Sequence, residues 1–281
     1  MRPADQIPDK VLARRSFESA AASYDQAAVL QQEVGQRLLQ RLELMKIQPD
    51  RILDLGSGTG QCIPGLLSRY KKADVVALDI AFPMLGHARK RSHWLRKPRC
   101  ICGDAETLPF ADSSFELVFS NLMLQWCVDL ETVFSELQRV LRPGGLLLFT
   151  SFGPDTLREL RDSWYKVDGY THVNAFQDMH DVGDALVKTR FADPVMDVER
   201  ITVTYPDVWK LMKELKQIGA HNVTAGRSRG LTGKSHMQRL VKAYEYYRSD
   251  GVLPASYEIV NGHAWSTSNE SSVPIESIKR R

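Results

Sequence analysis

The chain has 281 residues, of which 43% are hydrophobic and 25% charged, and 37 basic against 34 acidic side chains leave a formal charge of +3. These proportions exclude collagen, coiled coil and wholesale disorder, and the near balance of charge argues against a nucleic-acid partner. No apolar run approaches the ~20 residues of a membrane helix and Met1-Arg2-Pro3-Ala4-Asp5 begins no signal peptide, so one elaborated cytoplasmic domain with a sizeable core, held away from membranes, is expected.

Residues 9–45 predict helices, because Val11, Leu12, Phe17, Ala20, Ala21 and Tyr24, then Leu30, Val34, Leu38, Leu39 and Leu42, recur at three- and four-residue intervals. From Arg51 the period changes. Ile52-Leu53-Asp54-Leu55 predicts a short strand entering the turn Gly56-Ser57-Gly58-Thr59-Gly60, and a helix through Ile63, Leu66, Leu67 and Tyr70 follows. Further strands are predicted at 75–79, 99–102, 115–120 and 145–150, with a helix over 83–91 and a basic run from Arg89 to Arg99 that reads as a solvated face. Such alternation implies a doubly wound parallel sheet. Beyond Thr150, helices at about 155–167, 177–190 and 207–219 surround strand character at 195–203, and a last strand is expected at 257–260. Between Lys210 and Arg248 stand nine basic and two acidic residues, a net charge of +7. The expected organisation is an N-terminal helical cap over 1–46, an α/β domain over 47–265 with a helical insertion at about 206–250, and a polar disordered tail over 266–281. Cys62, Cys100, Cys102 and Cys127 show neither C-x-x-C nor zinc spacing, so free thiols and no metal are expected.

Ligands of a doubly wound sheet sit beyond the carboxyl ends of the strands, at the first strand-to-helix turn. Gly56, Gly58 and Gly60 occupy that turn in a G-x-G-x-G pattern, with Gln61 where a dinucleotide fingerprint wants glycine. Asp54 precedes it. Nineteen residues past Gly60, Asp79 closes the second strand, where an acid can accept both hydroxyls of a ribose, and Asp104-Ala105 follows the third, where it can meet an adenine edge.

The stretches Asp54 to Gly60, Leu78-Asp79, Gly103 to Phe110 and Val140 to Gly145 resemble the motif series of class I S-adenosylmethionine-dependent methyltransferases. That resemblance implies a Rossmann-like seven-stranded sheet with an antiparallel last strand, and S-adenosylmethionine held by Asp54, Gly56, Ser57, Gly58, Gly60, Asp79, Ile80, Asp104, Ala105 and Asn121. Four further stretches are similar to the malonyl-acyl-carrier-protein O-methyltransferases of biotin synthesis, over about 14–262: Phe17 to Asp25 with Gln31, Ser120 to Trp126, Phe152 to Leu160, and Leu215 to Ala220 with Gly226-Arg227. The implied reaction methylates the free carboxylate of a malonyl thioester, to start pimeloyl synthesis for biotin. A carboxylate is already ionised at neutral pH, so no general base is required. Tyr24, Trp126, Phe176 and Arg227 are the candidate acceptor-side residues, Arg227 as the carboxylate's ion-pair partner and Phe176 on the pantetheine path. The implied partner is an acyl carrier protein; such carriers are acidic, and the basic 210–248 segment is the expected docking surface. The alternatives are a quinone or phenol methyltransferase, which would need a base that no residue obviously supplies, and a non-methylating relative that keeps the pocket for an assembly or hydroxylation role.

Overall fold

The computed structural model describes residues 7–91, 96–224 and 233–267. Three helices, α1 (Lys10–Ala20), α2 (Tyr24–Ala27) and α3 (Val29–Arg41), precede the first strand. Asp9 caps α1 by accepting the Leu12 N–H. The predicted helical stretch is thus broken twice. The Ser23 N–H returns to the Ala20 carbonyl, and Ala28, with ψ of 45°, leaves helical geometry.

Strands β1 (Arg51–Leu55), β2 (Asp74–Asp79), β3 (Arg99–Cys102), β4 (Phe115–Ser120), β5 (Leu141–Phe152), β6 (Ala192–Tyr205) and β7 (Leu253–Trp265) form one sheet of order β3-β2-β1-β4-β5-β7-β6. The first five are parallel and β7 is antiparallel to both its neighbours. Helices α4 (Ile63–Arg69), α5 (Phe82–Ala88), α6 (Leu130–Val140), α7 (Arg158–Tyr165) and α8 (Met179–Lys188) fill the connections. Consecutive strand residues point to opposite faces. Ile52, Val75 and Leu117 therefore meet Leu38 of α3, Leu66 of α4 and Leu85 of α5, while Leu53, Val76 and Val118 meet Phe134 of α6 and Leu186 of α8. Burial on both faces is why these strands read as unbroken apolar runs.

The antiparallel pair is longer than its apolar signal. β6 is an edge strand whose residues alternate between exposed and half-buried, and its register with β7 runs from Ala192 opposite Trp265 to Tyr205 opposite Leu253. Helices α9 (Val208–Gln217) and α10 (Lys234–Tyr244) stand between these strands in the chain. Val208, Leu211, Leu240 and Tyr244 pack with Leu160 and Trp164 of α7 on Ala255, Tyr257 and Ile259 of β7. Ser266 and Thr267, which the sequence assigns to the tail, are tied to the fold. The Ser266 N–H donates to the Gly145 carbonyl and its own carbonyl accepts the Gly144 N–H, each at 2.8 Å, and Thr267 Oγ1 donates to the Arg190 carbonyl. Residues 268–281 lie outside the described residues. Among the described residues no helix is long and apolar enough to cross a membrane.

Candidate active site

The glycine turn is locked to the end of β2. The N–H groups of Gly56 and Ser57 both donate to the Leu78 carbonyl, at 2.8 and 3.0 Å, and the Gly58 N–H donates to Asp79 Oδ2 at 2.8 Å. Gly56, Gly58 and Gly60 have φ of +70°, +52° and +78°, the region that glycine alone enters without strain. A Cβ at Gly56 would lie 2.1 Å from Met123 Cγ, and one at Gly60 would lie 2.8 Å from the Ala88 backbone. At Gly58 a Cβ would meet nothing within 4 Å, because that residue faces a cavity of about 990 Å³.

Gly56, Gly58, Asp79, Ile80, Asp104, Ala105, Asn121, Tyr24 and Trp126 all line this cavity. Asp54, Ser57 and Gly60 do not; they lie beneath its floor and shape it. Asp54 is 3% exposed with Oδ2 unpartnered, and Ser57 Oγ is likewise buried without a partner. Burial first, and then the charge of Asp79, push the Asp54 carboxyl up to about 7. Burial also raises Asp79, against hydrogen bonds from Ala81 and Gly58 that favour its ionised form. Asp79 Oδ1 accepts the Ala81 N–H at 2.8 Å, and the Ile80 backbone also favours the ionised carboxylate, whose remaining lone pairs can take a ligand hydroxyl. Asp104 differs from the expected adenine contact in one respect. Its Oδ1 accepts the Glu106 N–H, while its Oδ2 lies 2.6 Å from Lys10 Nζ on α1.

The Asp54 titration predicts a pH dependence. Between the ordinary carboxyl value and about 7 the folded protein keeps a proton that the unfolded chain has released, so ligand-free stability falls as pH rises through that window, by up to a few kcal/mol. Thermal unfolding at about pH 5 and pH 8 should show a smaller drop for Asp54→Asn than for the wild type; equal drops would remove Asp54 as the cause.

Helices α1 and α2 cover the cavity and are clasped at both ends. Lys10 pairs with Asp104 and Glu106, each at 2.6 Å. Asp25 accepts from Thr59 Oγ1 at 2.6 Å and pairs with Arg91 at 2.6 Å, and Arg91 Nε donates to the Thr59 carbonyl. Arg91 therefore binds the cover to the glycine turn, and Arg96 donates to the carbonyls of Leu67 and Tyr70, where the sequence reads a solvated face. Burial, with Asp79 and Asp25 nearby, pushes the Tyr24 hydroxyl well above its ordinary value and keeps it neutral.

A second chamber of about 500 Å³ adjoins the first, and Gln31, Trp126, Phe152, Ile218 and Ala220 line both. Phe176 belongs to this second chamber, edge-on to Phe152 at 5.5 Å. Arg227 lies outside the described residues. The loop after β4 is pinned at several points: Asn121 Nδ2 donates to the Gln31 carbonyl, Asn121 Oδ1 accepts from Thr150, and Gln125 Nε2 donates to the Leu122 carbonyl. Leu122, with φ of +50°, sits strained in the middle of it. This anchoring sets Trp126 against Phe17, centroids 5.0 Å apart and nearly perpendicular. The Asn121 amide is thus a strut between α3, β4 and β5 as well as part of the wall. Lys10, Asp25 and Arg91 carry no site assignment in the sequence because long-range charge pairing leaves no local pattern, whereas His172 and Asp168, 2.8 Å apart in and behind the second chamber, pair locally at four-residue spacing.

A family profile described as "Methyltransferase domain" matches residues 53–149. Three proteins named malonyl-acyl-carrier-protein O-methyltransferase match almost end to end: that of Halorhodospira halophila is 47% identical, covering 100% of this chain and 99% of that protein; that of Nitrosospira multiformis is 48% identical, covering 98% and 95%; and that of Gallionella capsiferriformans is 52% identical, covering 92% and 91%. Among solved structures, the YcgJ protein of Bacillus subtilis has the same fold at 14% identity and a TM-score of 0.59, covering 82% of this chain and 98% of that one. Phosphoethanolamine N-methyltransferase 2 of Haemonchus contortus, solved with S-adenosyl-L-methionine, aligns at 22% identity and a TM-score of 0.51, covering 83% and 52%.

Proposed function

The chain belongs to the malonyl-acyl-carrier-protein O-methyltransferase family, and on that premise we propose that it transfers the methyl of S-adenosylmethionine to the free carboxylate of a malonyl thioester carried by an acyl carrier protein, the step that starts pimeloyl synthesis for biotin. The observation that carries this reading is the joining of a glycine-floored, acid-lined cavity to a chamber with no base among the described residues at the junction. The cavity fits the cofactor. Gly58 presents bare backbone to it, Asp79 offers free lone pairs for ribose hydroxyls, and the wall carries Ile80 and Ala105 for the adenine, with Asp104 beside them.

When bound, S-adenosylmethionine supplies a sulfonium methyl, an electrophile that needs no further activation. What remains for the protein is placement. Trp126, Phe152, Phe176 and Ile218 give an apolar passage that excludes water from the acceptor, and near-attack alignment there can supply several kcal/mol. Tyr24, kept neutral, serves as a hydroxyl donor in the wall and not as a phenolate base. His172 has Nε2 on Asp168 and its ring stacked on Trp164 at 3.7 Å, and it stands away from the junction, so it is not placed to deprotonate a phenolic acceptor. The working compartment we propose is the cytoplasm, where Cys62, Cys100 and Cys102 keep their free thiols.

Methyl transfer from labelled S-adenosylmethionine should occur on malonyl-acyl carrier protein and not on acetyl-acyl carrier protein, which lacks the free carboxylate. Label on neither malonyl-acyl carrier protein nor malonyl-coenzyme A, with the cofactor still bound, would refute carboxylate methylation. For carrier docking, the exposed Lys210, Lys213 and Lys216 of α9 and Lys234, Arg239 and Lys242 of α10 support a basic surface, whereas Arg248 is engaged by Glu245 and the Pro206 carbonyl. Arg239→Glu with Lys242→Glu should raise the KM for the carrier-bound substrate about 5- to 10-fold and flatten its salt dependence. An unchanged KM would move docking elsewhere.

A further inference from the structure

The two chambers share Gln31, Trp126, Phe152, Ile218 and Ala220, so on the reading of carboxylate methylation given above the methyl and the attacking carboxylate meet among these five residues. Three of them are hydrocarbon. Only Gln31 and Trp126 present hydrogen-bond donors. Gln31 lies in the first turn of α3, and its backbone carbonyl accepts from Asn121 Nδ2 at 2.9 Å, which fixes the helix at that point. Its carboxamide has no hydrogen-bond partner among the described residues, whereas the neighbouring amides of Asn121, Gln125, Asn174 and Asn222 all do. The Trp126 ring is held in place by Phe17. Of the described residues lining either chamber, only Lys10 and His172 can carry positive charge, and both are engaged by carboxylates.

We propose that the Gln31 carboxamide is a catalytic residue: together with the Trp126 indole N–H it receives one oxygen of the malonyl carboxylate and leaves the other aimed at the methyl. The free oxygen forms the new C–O bond to the methyl carbon while the C–S bond breaks with its electron pair left on sulfur, and no proton moves. An anion and a cation become a neutral ester and a neutral thioether. Charge therefore fades along the reaction, and a fixed cation against the carboxylate would stabilise the reactant more than the transition state. Neutral donors orient the carboxylate with less of that penalty, and the dry junction favours the loss of charge.

The test uses the full-length enzyme, with three measurements on each variant: affinity for S-adenosylhomocysteine, affinity of the S-adenosylhomocysteine complex for malonyl-acyl carrier protein, and kcat/KM for methyl transfer. Gln31→Leu should keep the first within about twofold and lower the last two about 10- to 100-fold, the range for a lost hydrogen bond to a charged group. Gln31→Glu places a repelling anion at the junction when ionised but restores a donor when protonated. Its kcat/KM relative to the wild type should therefore rise as pH falls from about 8 to about 5.5, and taking the ratio at each pH cancels titrations common to both proteins, such as that of Asp54. A wild type that methylates malonyl-acyl carrier protein beside a Gln31→Leu enzyme of undiminished malonyl affinity and kcat/KM would overturn the role of Gln31 and spare the function. A Glu variant whose ratio is flat with pH would do the same, even if the Leu variant fails to fold. A wild type inactive on malonyl thioesters would overturn both.

Discussion

Replacing Asp79 with alanine should weaken binding of S-adenosylmethionine and of S-adenosylhomocysteine alike by at least about 100-fold, because two ribose hydroxyls lose a charged acceptor and each such bond contributes roughly 1.5–3 kcal/mol. The loss goes beyond the ligand. The Gly58 and Ala81 N–H groups, both 2.8 Å from the Asp79 carboxylate, lose their acceptor, and the glycine turn loses the contact that aims it at the cavity. Asp79→Asn offers one oxygen but turns an NH2 toward one of these two backbone donors, so it should fall between the wild type and the alanine variant. Titration calorimetry with both nucleosides, beside a thermal melt to show that the fold persists, measures this directly. Unchanged affinity in the alanine variant would remove Asp79 from the cofactor site.

The second large effect is expected at Gly56. Gly56→Ala must hold φ near +70° and place a methyl 2.1 Å from Met123 Cγ and 2.5 Å from Met123 Cβ. Those are the inner atoms of a side chain whose backbone carbonyl accepts the Trp126 N–H, so relief comes only by moving the loop that carries the acceptor wall. Left-handed strain of about 1–2 kcal/mol and overpacking of about 1–3 kcal/mol predict a stability loss of roughly 2–5 kcal/mol, with methyl transfer near background. Gly58→Ala is the informative contrast. It carries the strain but meets no protein atom within 4 Å, so its methyl intrudes on the ligand alone. Chemical denaturation should separate the two, Gly56→Ala losing stability and activity and Gly58→Ala mainly cofactor affinity. Equal stability of the two alanine variants would mean that Met123 gives way freely.

The parallel half of the fold was legible because β1, β2 and β4 are buried on both faces and the glycines after β1 sit where positive φ is obligatory; Ile52 to Gly60 and Val75 to Asp79 state those needs in consecutive letters. The antiparallel half was legible only in part. β6 lies at an edge, so Ala192 and Thr204 belong to it through register with β7 and carry no apolar signature of their own. At the site, residues that follow a strand end were found in sequence, while Lys10, Asp25 and Arg91 were not assigned, since each meets its partner across tens of residues. Gln31 was visible as part of a family-like stretch, but its position between two chambers is a property of how α3 meets the loop after β4. Ser266 was misjudged for a related reason: its polar neighbours suggest a tail, yet two backbone hydrogen bonds to the start of β5 hold it.

The clasps on the cover also bear on how fast the enzyme can work. The Lys10 pairs and the Asp25–Arg91 pair stand at the two ends of the covering helices and remain partly open to solvent, with side-chain exposures between 16% and 39%. Ions reach such contacts and weaken them over a screening length of about 8–10 Å, whereas the interior junction proposed for methyl transfer is beyond their reach. Salt therefore acts on the door and not on the room. With the carrier-bound substrate saturating, exchange of spent nucleoside for fresh should quicken with ionic strength while the rate of a single preloaded turnover stays constant, so the ratio of steady-state to single-turnover rates reads out how far the cover, and not the chemistry, governs throughput.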